Sequence, residues 1–172
     1  MNAIAVGYRF AREELSTLLQ ALRLGPLPGA PLDPVDEDAA QLVLKQLAEK
    51  ELALVADGTI YVDRLTNSLL SGASHAKSAV TVTDGQNTAV LWDAGQFYIL
   101  GEFPAHGDCT VTPLQNLQMA QESFSDALCR LSRPLWCVNA LDHSEPIELA
   151  AQDAVSGQAA ASIALKLLKP AD

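Results

Sequence analysis

Hydrophobic and polar residues alternate most regularly in the middle of the chain, at residues 77–111. The run SAVTVT at positions 78–83 places valines on one side and threonines on the other, as a half-buried strand requires. The Asp-Gly pair at 84–85 and Gly95 occupy turn positions, because glycine adopts the positive φ of tight hairpins. Pro104 cannot donate to a strand ladder and should end the third strand. The pattern predicts an antiparallel meander of three or four strands.

The second and third strands, near residues 89–92 and 97–103, carry bulky apolar residues on both sides. A strand with two apolar faces belongs to a sheet that is covered on both faces, so we expect helices to cover at least part of the second face. Gly101 interrupts the apolar positions, which suits a bulge or a close backbone approach.

Amphipathic helices, with apolar residues three and four positions apart, are predicted before and after the meander. They are expected at about residues 11–24, 35–51, 64–71 and 159–169, with a longer helix that ends at Pro134. For that longer helix, Thr112 is predicted as the N-cap, Pro113 as the first helical residue and Gln115 as the third, which together form a capping box.

Short strands are predicted at about residues 3–8, 135–140 and 147–150, and a second hairpin around the Asp-Gly pair at 57–58. A helix that runs into a small hairpin is typical of winged-helix proteins. The proline-rich run GPLPGAPLDP at 25–34 is predicted to be a loop that lies against the surface.

The expected fold class is α+β: an antiparallel β-meander (about 77–111) covered by amphipathic helices, with an N-terminal winged-helix-like segment. We expect a single domain over 1–172, with an N-terminal lobe 1–73 and a sheet-plus-helix lobe 74–172 as the alternative.

The chain of 172 residues has a formal net charge of -10 and a pI near 4.6. Long-range repulsion by this charge argues against a nucleic-acid partner, because no lysine and arginine cluster offsets it. No run of about 18 apolar residues occurs, so no transmembrane helix is expected. The first residues lack a basic segment followed by an apolar core, so we expect no cleaved signal peptide and a cytoplasmic protein.

The candidate chemical residues are three cysteines and three histidines. An odd cysteine count without a C-x-x-C pair favours reduced, buried thiols over disulfides. His106 and Cys109, with Cys137 and His143, could supply four zinc ligands, but only the first pair has the spacing of a structural zinc site. Cys129 lies near the end of the long helix, where the helix dipole disfavours a thiolate. We therefore predict no catalytic, cofactor-binding or metal-ligating residue, and no cofactor.

His75, the acidic run at 36–38 and the aromatic residues have simple structural explanations. His75 is expected in a solvated loop, and the acids match the positive end of a helix dipole. Trp92, Trp136 and Phe97 are expected mainly in the core, although exposed aromatics can anchor a partner. Tyr98 is the aromatic residue most expected to face outward.

Two stretches and the strands that follow them resemble one protein family. They read FAREELSTLLQALRLGPLPG and LVLKQLAEKELALVADGTIYVDRLTNSLL, and the strands start at Ser78. This succession of helix, proline loop, helix, hairpin, helix and sheet over residues 8–103 resembles the EspG family of ESX (type VII) secretion-associated proteins. The chain is much shorter than a full member, and no single functional residue can be carried over. The resemblance implies a cytosolic chaperone or adaptor that holds secretion substrates in a hydrophobic groove.

Three functions follow as hypotheses. We favour a non-enzymatic protein-binding module, chaperone-like or adaptor-like, whose partner is another protein such as a secretion substrate, with a homodimer as a further expectation. A winged-helix transcription-related protein with a sensor domain is the first alternative. A small enzyme that uses His106 or a cysteine is the second.

Overall fold

The computed structural model describes residues 7–32, 38, 41–42, 45, 49, 53–56, 59–62, 64–131, 135–141, 147–148 and 157–168. The strands are β1 (Tyr8–Phe10), β2 (Ala53–Ala56), β3 (Thr59–Val62), β4 (Ser78–Thr83), β5 (Thr88–Asp93), β6 (Tyr98–Phe103), β7 (Cys109–Leu114), β8 (Trp136–Asn139) and β9 (Ile147–Glu148). The helices are α1 (Arg12–Ala21), α2 (Arg64–Ser74), α3 (Leu117–Cys129) and α4 (Gly157–Leu168). Asp38, Gln41, Leu42, Lys45 and Glu49 are also helical.

The predicted meander is confirmed as four consecutive antiparallel strands, β4 to β7. They form the centre of a seven-stranded sheet with the order β1-β7-β6-β5-β4-β8-β9, and every neighbouring pair is antiparallel. β2 and β3 form a separate hairpin. The sheet is antiparallel throughout its described pairs and is combined with the helices α1 to α4, so the predicted α+β class is confirmed.

The β4–β5 turn shows why the hairpin could be recognised in the sequence. Gly85 has φ +96°, a conformation that other residues adopt at a cost. The Asp84 carboxylate accepts hydrogen bonds from the backbone N–H groups of Gln86 and Asn87. The Asn87 side chain in turn accepts one from the Ala105 N–H at 2.9 Å, which connects this turn to the turn after β6. Local hydrogen bonds therefore fix the register at this end of the sheet.

The sheet has an apolar core on each face, as the two-sided pattern of the meander predicted. On one face, α1, α2 and the proline-rich loop pack against residues that include Val90, Trp92 and Ile99. On the other face, α3 and α4 pack against residues that include Val82, Leu91 and Leu100. Burial of this amount of apolar surface is the main stabilising contribution in such a three-layer arrangement.

Trp92 connects the sheet to the proline-rich loop. Its side chain is fully buried, and the indole Nε1 donates a hydrogen bond to the Pro28 carbonyl at 2.8 Å. A Cβ atom on Gly101 would lie 2.6 Å from the Trp92 ring, so Gly101 is the close approach that its position suggested. The Thr81 hydroxyl also donates to the Gly29 carbonyl at 3.2 Å. The loop therefore lies against the protein surface as predicted, over the part that is described.

The predicted start of the long helix is wrong. Thr112 and Pro113 belong to β7, where Pro113 pairs with Ile99, and the helix begins at Leu117 after the N-cap Asn116. The Asn116 side chain accepts a hydrogen bond from the Met119 N–H at 2.9 Å. The physical reason is burial: Val111 and Leu114 are both fully buried because the strand continues to Leu114. A helix that began at residue 113 would lose this burial.

The remaining helices and strands follow the sequence with shifted ends. α1, α2, β8 and α4 lie where helices and a strand were predicted. The first strand is described over Tyr8–Phe10, so it ends two residues after the predicted end at residue 8. Most of the predicted helix at 35–51, Pro134 and residues 3–6 lie outside the described residues. The proposed division into lobes at residue 73 stays a prediction; β1 pairs with β7, and α1 and α2 pack on the main sheet.

Among the described helices, none has the length and apolar character needed to cross a membrane.

Candidate functional site

The sheet separates the two buried cysteines. Cys109 of β7 belongs to the apolar core under α1 and α2, whereas Cys137 of β8 belongs to the core under α3 and α4. Because they lie on opposite faces of one sheet, the two thiols cannot ligate the same ion. His143, the remaining candidate zinc ligand with His106, lies outside the described residues. Within the described ranges, no group of three or more His, Cys, Asp and Glu side chains could hold a metal ion.

Burial keeps both of these thiols protonated at neutral pH. Burial raises the pKa of Cys137 to about 12. It also raises the pKa of Cys109, and the nearby Arg12 guanidinium offsets only part of that rise. Since the thiolate is the nucleophile, neither side chain is prepared for covalent catalysis.

Cys129, at the end of α3, is the exposed cysteine. We expect iodoacetamide at pH 8 to alkylate one thiol per native chain quickly, and all three only after unfolding in urea. Intact mass measured over time checks this result. Cys129→Ser should abolish the fast reaction, and rapid native modification of Cys137 would contradict the burial of its side chain.

The two described histidines, His75 and His106, lie away from these thiols. His106 is exposed in the turn between β6 and β7, whereas the Cys109 side chain points into the core. His75 is exposed, with Nδ1 at 3.0 Å from the Ser71 carbonyl at the end of α2, which is the solvated position expected for it. Of the acidic run, Asp38 is exposed and helical, and the other two acids lie outside the described residues.

An open groove of about 490 Å³ lies between the end of α3 and the ends of β5 to β7. Its lining includes Arg130, which forms an ion pair with Glu102 at 2.5 Å. Both side chains are substantially exposed, at 59% and 29%, so this pair contributes little to stability. The groove is open, and none of the candidate cysteines or histidines is among its described lining residues.

Trp92 is fully buried and Phe97 packs against the same core, as expected, but Tyr98 and Trp136 differ from the prediction. Tyr98 is half-buried against the α3 and α4 core, where burial and then the Asp93 carboxylate raise the pKa of its hydroxyl. Trp136 is instead 37% exposed. Its position in the sheet explains this, because β8 has only the two-residue strand β9 beyond it in the described part of the chain.

Large apolar side chains are exposed on both faces of the sheet at this end, because Trp136 pairs with Glu148 whereas its neighbour Cys137 pairs with Ile147. Trp136, Leu141 and Ile147 are 37%, 42% and 46% exposed, and they lie in or directly after β8 and in β9. We call these three residues the edge patch. Large apolar residues that are exposed together mark interaction surfaces more often than isolated ones do. The sequence predicted a short strand starting at residue 147. It could not predict that this strand lies at the end of the described sheet, which is what leaves its side chains exposed.

No family model matches the chain, and a search of curated proteins found no match.

Proposed function

We propose that the chain is a non-enzymatic protein-binding module, chaperone-like or adaptor-like and secretion-associated, and that it binds its partner at the edge patch. The observation that supports this is that three large apolar side chains are exposed at one end of the sheet, in a chain whose net charge is -10. A high net charge keeps a protein surface hydrated and soluble, whereas exposed apolar side chains are unfavourable in water. Such side chains therefore suggest a surface that a partner covers.

The chemistry of the patch suits recognition of a polypeptide. Trp136 offers a large, rigid surface, and tryptophan is enriched among residues that dominate binding energy. Ile147 and Leu141 would each contribute about 1 to 2 kcal/mol when a partner completes their burial. The sheet edge beside them can also supply backbone hydrogen bonds.

The test uses two substitutions at equally exposed apolar residues. Ile147→Asn changes the edge patch, and Leu117→Asn changes the start of α3; both wild-type side chains are 46% exposed. The partner is first co-purified from the source cell and then reconstituted with the protein from purified components. We expect Ile147→Asn to weaken the binary complex about 10-fold in calorimetry, the equivalent of about 1.4 kcal/mol, and Leu117→Asn to leave it unchanged.

Equal effects of the two substitutions, or no effect of either one, would contradict binding at the edge patch. Thermal unfolding of both variants is measured alongside the titration. The comparison is valid only if Ile147→Asn lowers the stability no more than Leu117→Asn does.

One observation favours a second candidate, a winged-helix role in transcription. The β2–β3 hairpin follows helical residues that include Lys45 and Glu49, which is the order of helix and wing in such proteins. The charge opposes it, because residues 41–51 hold two lysines and two glutamates. Retardation of random duplex DNA at low salt would support this candidate, and free migration at micromolar protein would remove it.

A further inference from the structure

We infer that two copies of this chain exchange their first strand and first helix, so that β1 of one copy pairs with β7 of the other. We call residues 8–21, which contain β1 and α1, the arm, and residues 22–24 the joint. The partner is thus a second copy of the chain, and it offers the surface that the arm covers in a single chain. This inference does not depend on the edge patch, so it stands or fails separately from the proposed function.

The joint holds a backbone conformation that favours glycine, although its central residue is an arginine. Arg23 has φ +57° and is the non-glycine residue with a positive φ among those described. Its N–H donates to the Gln20 carbonyl at 3.1 Å, and the Leu24 N–H donates to the Leu19 carbonyl at 2.9 Å. These two bonds define a Schellman motif, in which glycine usually occupies the position of Arg23. A side chain in the left-handed region costs free energy, which an extended joint would release.

The proline-rich loop that follows the joint is fixed to its own copy. Its carbonyls accept the hydrogen bonds from Trp92 and Thr81 described above. The Ser74 hydroxyl of α2 also donates to the Gly25 carbonyl at 3.0 Å. Gly25 comes two residues after Arg23, so the chain is held in place directly after the joint. Opening the joint therefore moves the arm and leaves the loop where it is.

The arm makes these contacts with parts of the chain that come after the joint. β1 pairs with β7, and Leu15 and Leu18 of α1 are fully buried in the core on one face of the sheet. The Arg12 guanidinium donates to the Pro31 carbonyl at 3.2 Å and to the Pro104 carbonyl at 2.6 Å. Each contact is the same whichever copy supplies the arm, so an exchange between two copies retains them all.

An extended joint is long enough to carry the arm across to a second copy. Each extended residue spans about 3.3 to 3.6 Å, so three residues reach about 10 Å. A symmetric exchange places the two joints next to each other, because each arm crosses to the opposite copy. The single chain and the exchanged dimer then differ mainly at the joint, where the dimer lacks the left-handed arginine.

Charge opposes the approach of two copies at long range but not the exchange of the arm itself. Each copy has a net charge of -10, so the copies repel each other. The arm contains two arginines and two glutamates, so its formal charges cancel. Salt screens the repulsion between whole chains. We therefore expect refolding in 0.5 M salt to give at least twofold more dimer than refolding in 0.05 M salt.

The test detects exchange by a disulfide that joins two chains. Arg9 and Thr110 lie directly opposite each other in β1 and β7, and they are exposed and half-buried respectively. One chain carries Arg9→Cys and the other Thr110→Cys, and both carry Cys129→Ser, which removes the exposed native thiol. The chains are mixed, unfolded in urea, refolded at about 0.3 mM and oxidised, because effective concentrations within one chain are in the millimolar range. We expect the joined pair, measured by intact mass, at a yield at least tenfold above that of chains mixed without unfolding.

Thr88 supplies the control for this disulfide. It is half-buried like Thr110 but lies in β5, which is not a neighbour of β1 in the sheet. Replacing Thr110→Cys by Thr88→Cys in the second chain should lower the yield at least tenfold, because the two sulfur atoms are then too far apart in the exchanged dimer. Equal yields would show random contact between chains and overturn the inference.

Substitutions at the joint should change the amount of dimer in opposite directions. Arg23→Gly removes the cost of the closed joint, whereas Arg23→Val raises it, because β-branched residues rarely adopt a positive φ. After refolding at the same concentration, light scattering should show at least threefold less dimer for Arg23→Gly and at least threefold more for Arg23→Val. Arg23→Gln, which removes the charge and keeps a side chain, should match the wild type. If circular dichroism shows that Arg23→Val does not fold, the result for Arg23→Gly decides.

Two further results would each overturn the inference: no dimer under any of these conditions, or a dimer whose amount does not respond to Arg23→Gly. A dimer that Ile147→Asn abolishes would assign self-association to the edge patch and overturn it as well. If the cross-chain disulfide forms while Ile147→Asn leaves the natural complex unchanged, this inference stands and the proposed function fails.

Discussion

Replacing Trp92 by alanine will lower the free energy of unfolding by about 3 to 5 kcal/mol, the range for large aromatic residues removed from a core. The side chain is fully buried, packs edge-on against Phe103 with ring centroids 6.3 Å apart, and donates to the Pro28 carbonyl. The substitution removes both the apolar contacts and the only described side-chain hydrogen bond from this residue to the proline-rich loop. Urea unfolding followed by circular dichroism measures the loss.

Trp136 provides the matched control for that experiment. It is the other tryptophan of the chain and is 37% exposed, so Trp136→Ala should cost about 1 kcal/mol or less. Trp92→Phe should fall between the two, because it keeps most of the apolar contact but leaves the Pro28 carbonyl without its donor. A loss for Trp136→Ala as large as that for Trp92→Ala would contradict the assignment of the two residues to core and edge.

Replacing Gly101 by alanine will destabilise the protein by about 1 to 3 kcal/mol, the usual cost of adding a methyl group to a packed core. A Cβ atom there would lie 2.6 Å from the Cη2 and Cζ3 atoms of Trp92 and 2.9 Å from Cε2 of Phe103. Such contacts force the indole or the β6 backbone to move. The same urea titration measures the effect.

A double-mutant cycle tests whether the indole is the cause. A phenylalanine ring at position 92 lacks the outer atoms that the new methyl group would meet, so Gly101→Ala should cost at least 1 kcal/mol less in the Trp92→Phe background. Additive losses in the double variant would place the strain elsewhere, for example at Phe103. Gly85→Ala supplies a comparison in which the new Cβ meets no atom within 4 Å and only the positive φ opposes it.

Local sequence signals predicted the central sheet well, because they act over a few residues. Gly85 and Gly95 adopt the positive φ of the first two turns, and β6 ends at Phe103, directly before Pro104. The alternation in β4 predicted a strand correctly but not its burial, because Ser78 to Val82 are buried on both faces of the sheet. The apolar residues on both sides of β5 and β6 also predicted correctly that both faces of the sheet are covered. These features depend on backbone conformation and side-chain period, both of which can be read from adjacent residues.

The start of α3 could not be decided by the same reasoning. The segment around Pro113 satisfies the rules for a helix start and also fits the end of a strand. The choice depends on Ile99, which lies 14 positions earlier and pairs with Pro113 in the sheet. Tertiary pairing therefore overrides a good local capping signal.

The edge patch could not be located from the sequence, for a related reason. Trp136 is partly exposed because β8 lies between β4 and the short strand β9. The pairing of β8 with β4 joins distant parts of the chain, so it cannot be read from adjacent residues. Likewise, only the sheet order reveals that Cys109 and Cys137 lie on opposite faces. Periodicity indicates that a residue lies inside, but it does not indicate which of two cores contains it.

The pairing of β1 with β7 has a consequence for the order of folding. Tyr8 pairs with Val111, so closing this contact requires a loop of roughly 100 residues, whereas each hairpin of the meander closes over a few residues. The entropic cost favours a transition state built from β4 to β7, with β1 docking late. During synthesis, the first strand must therefore wait until β7 has left the ribosome before it finds its neighbour.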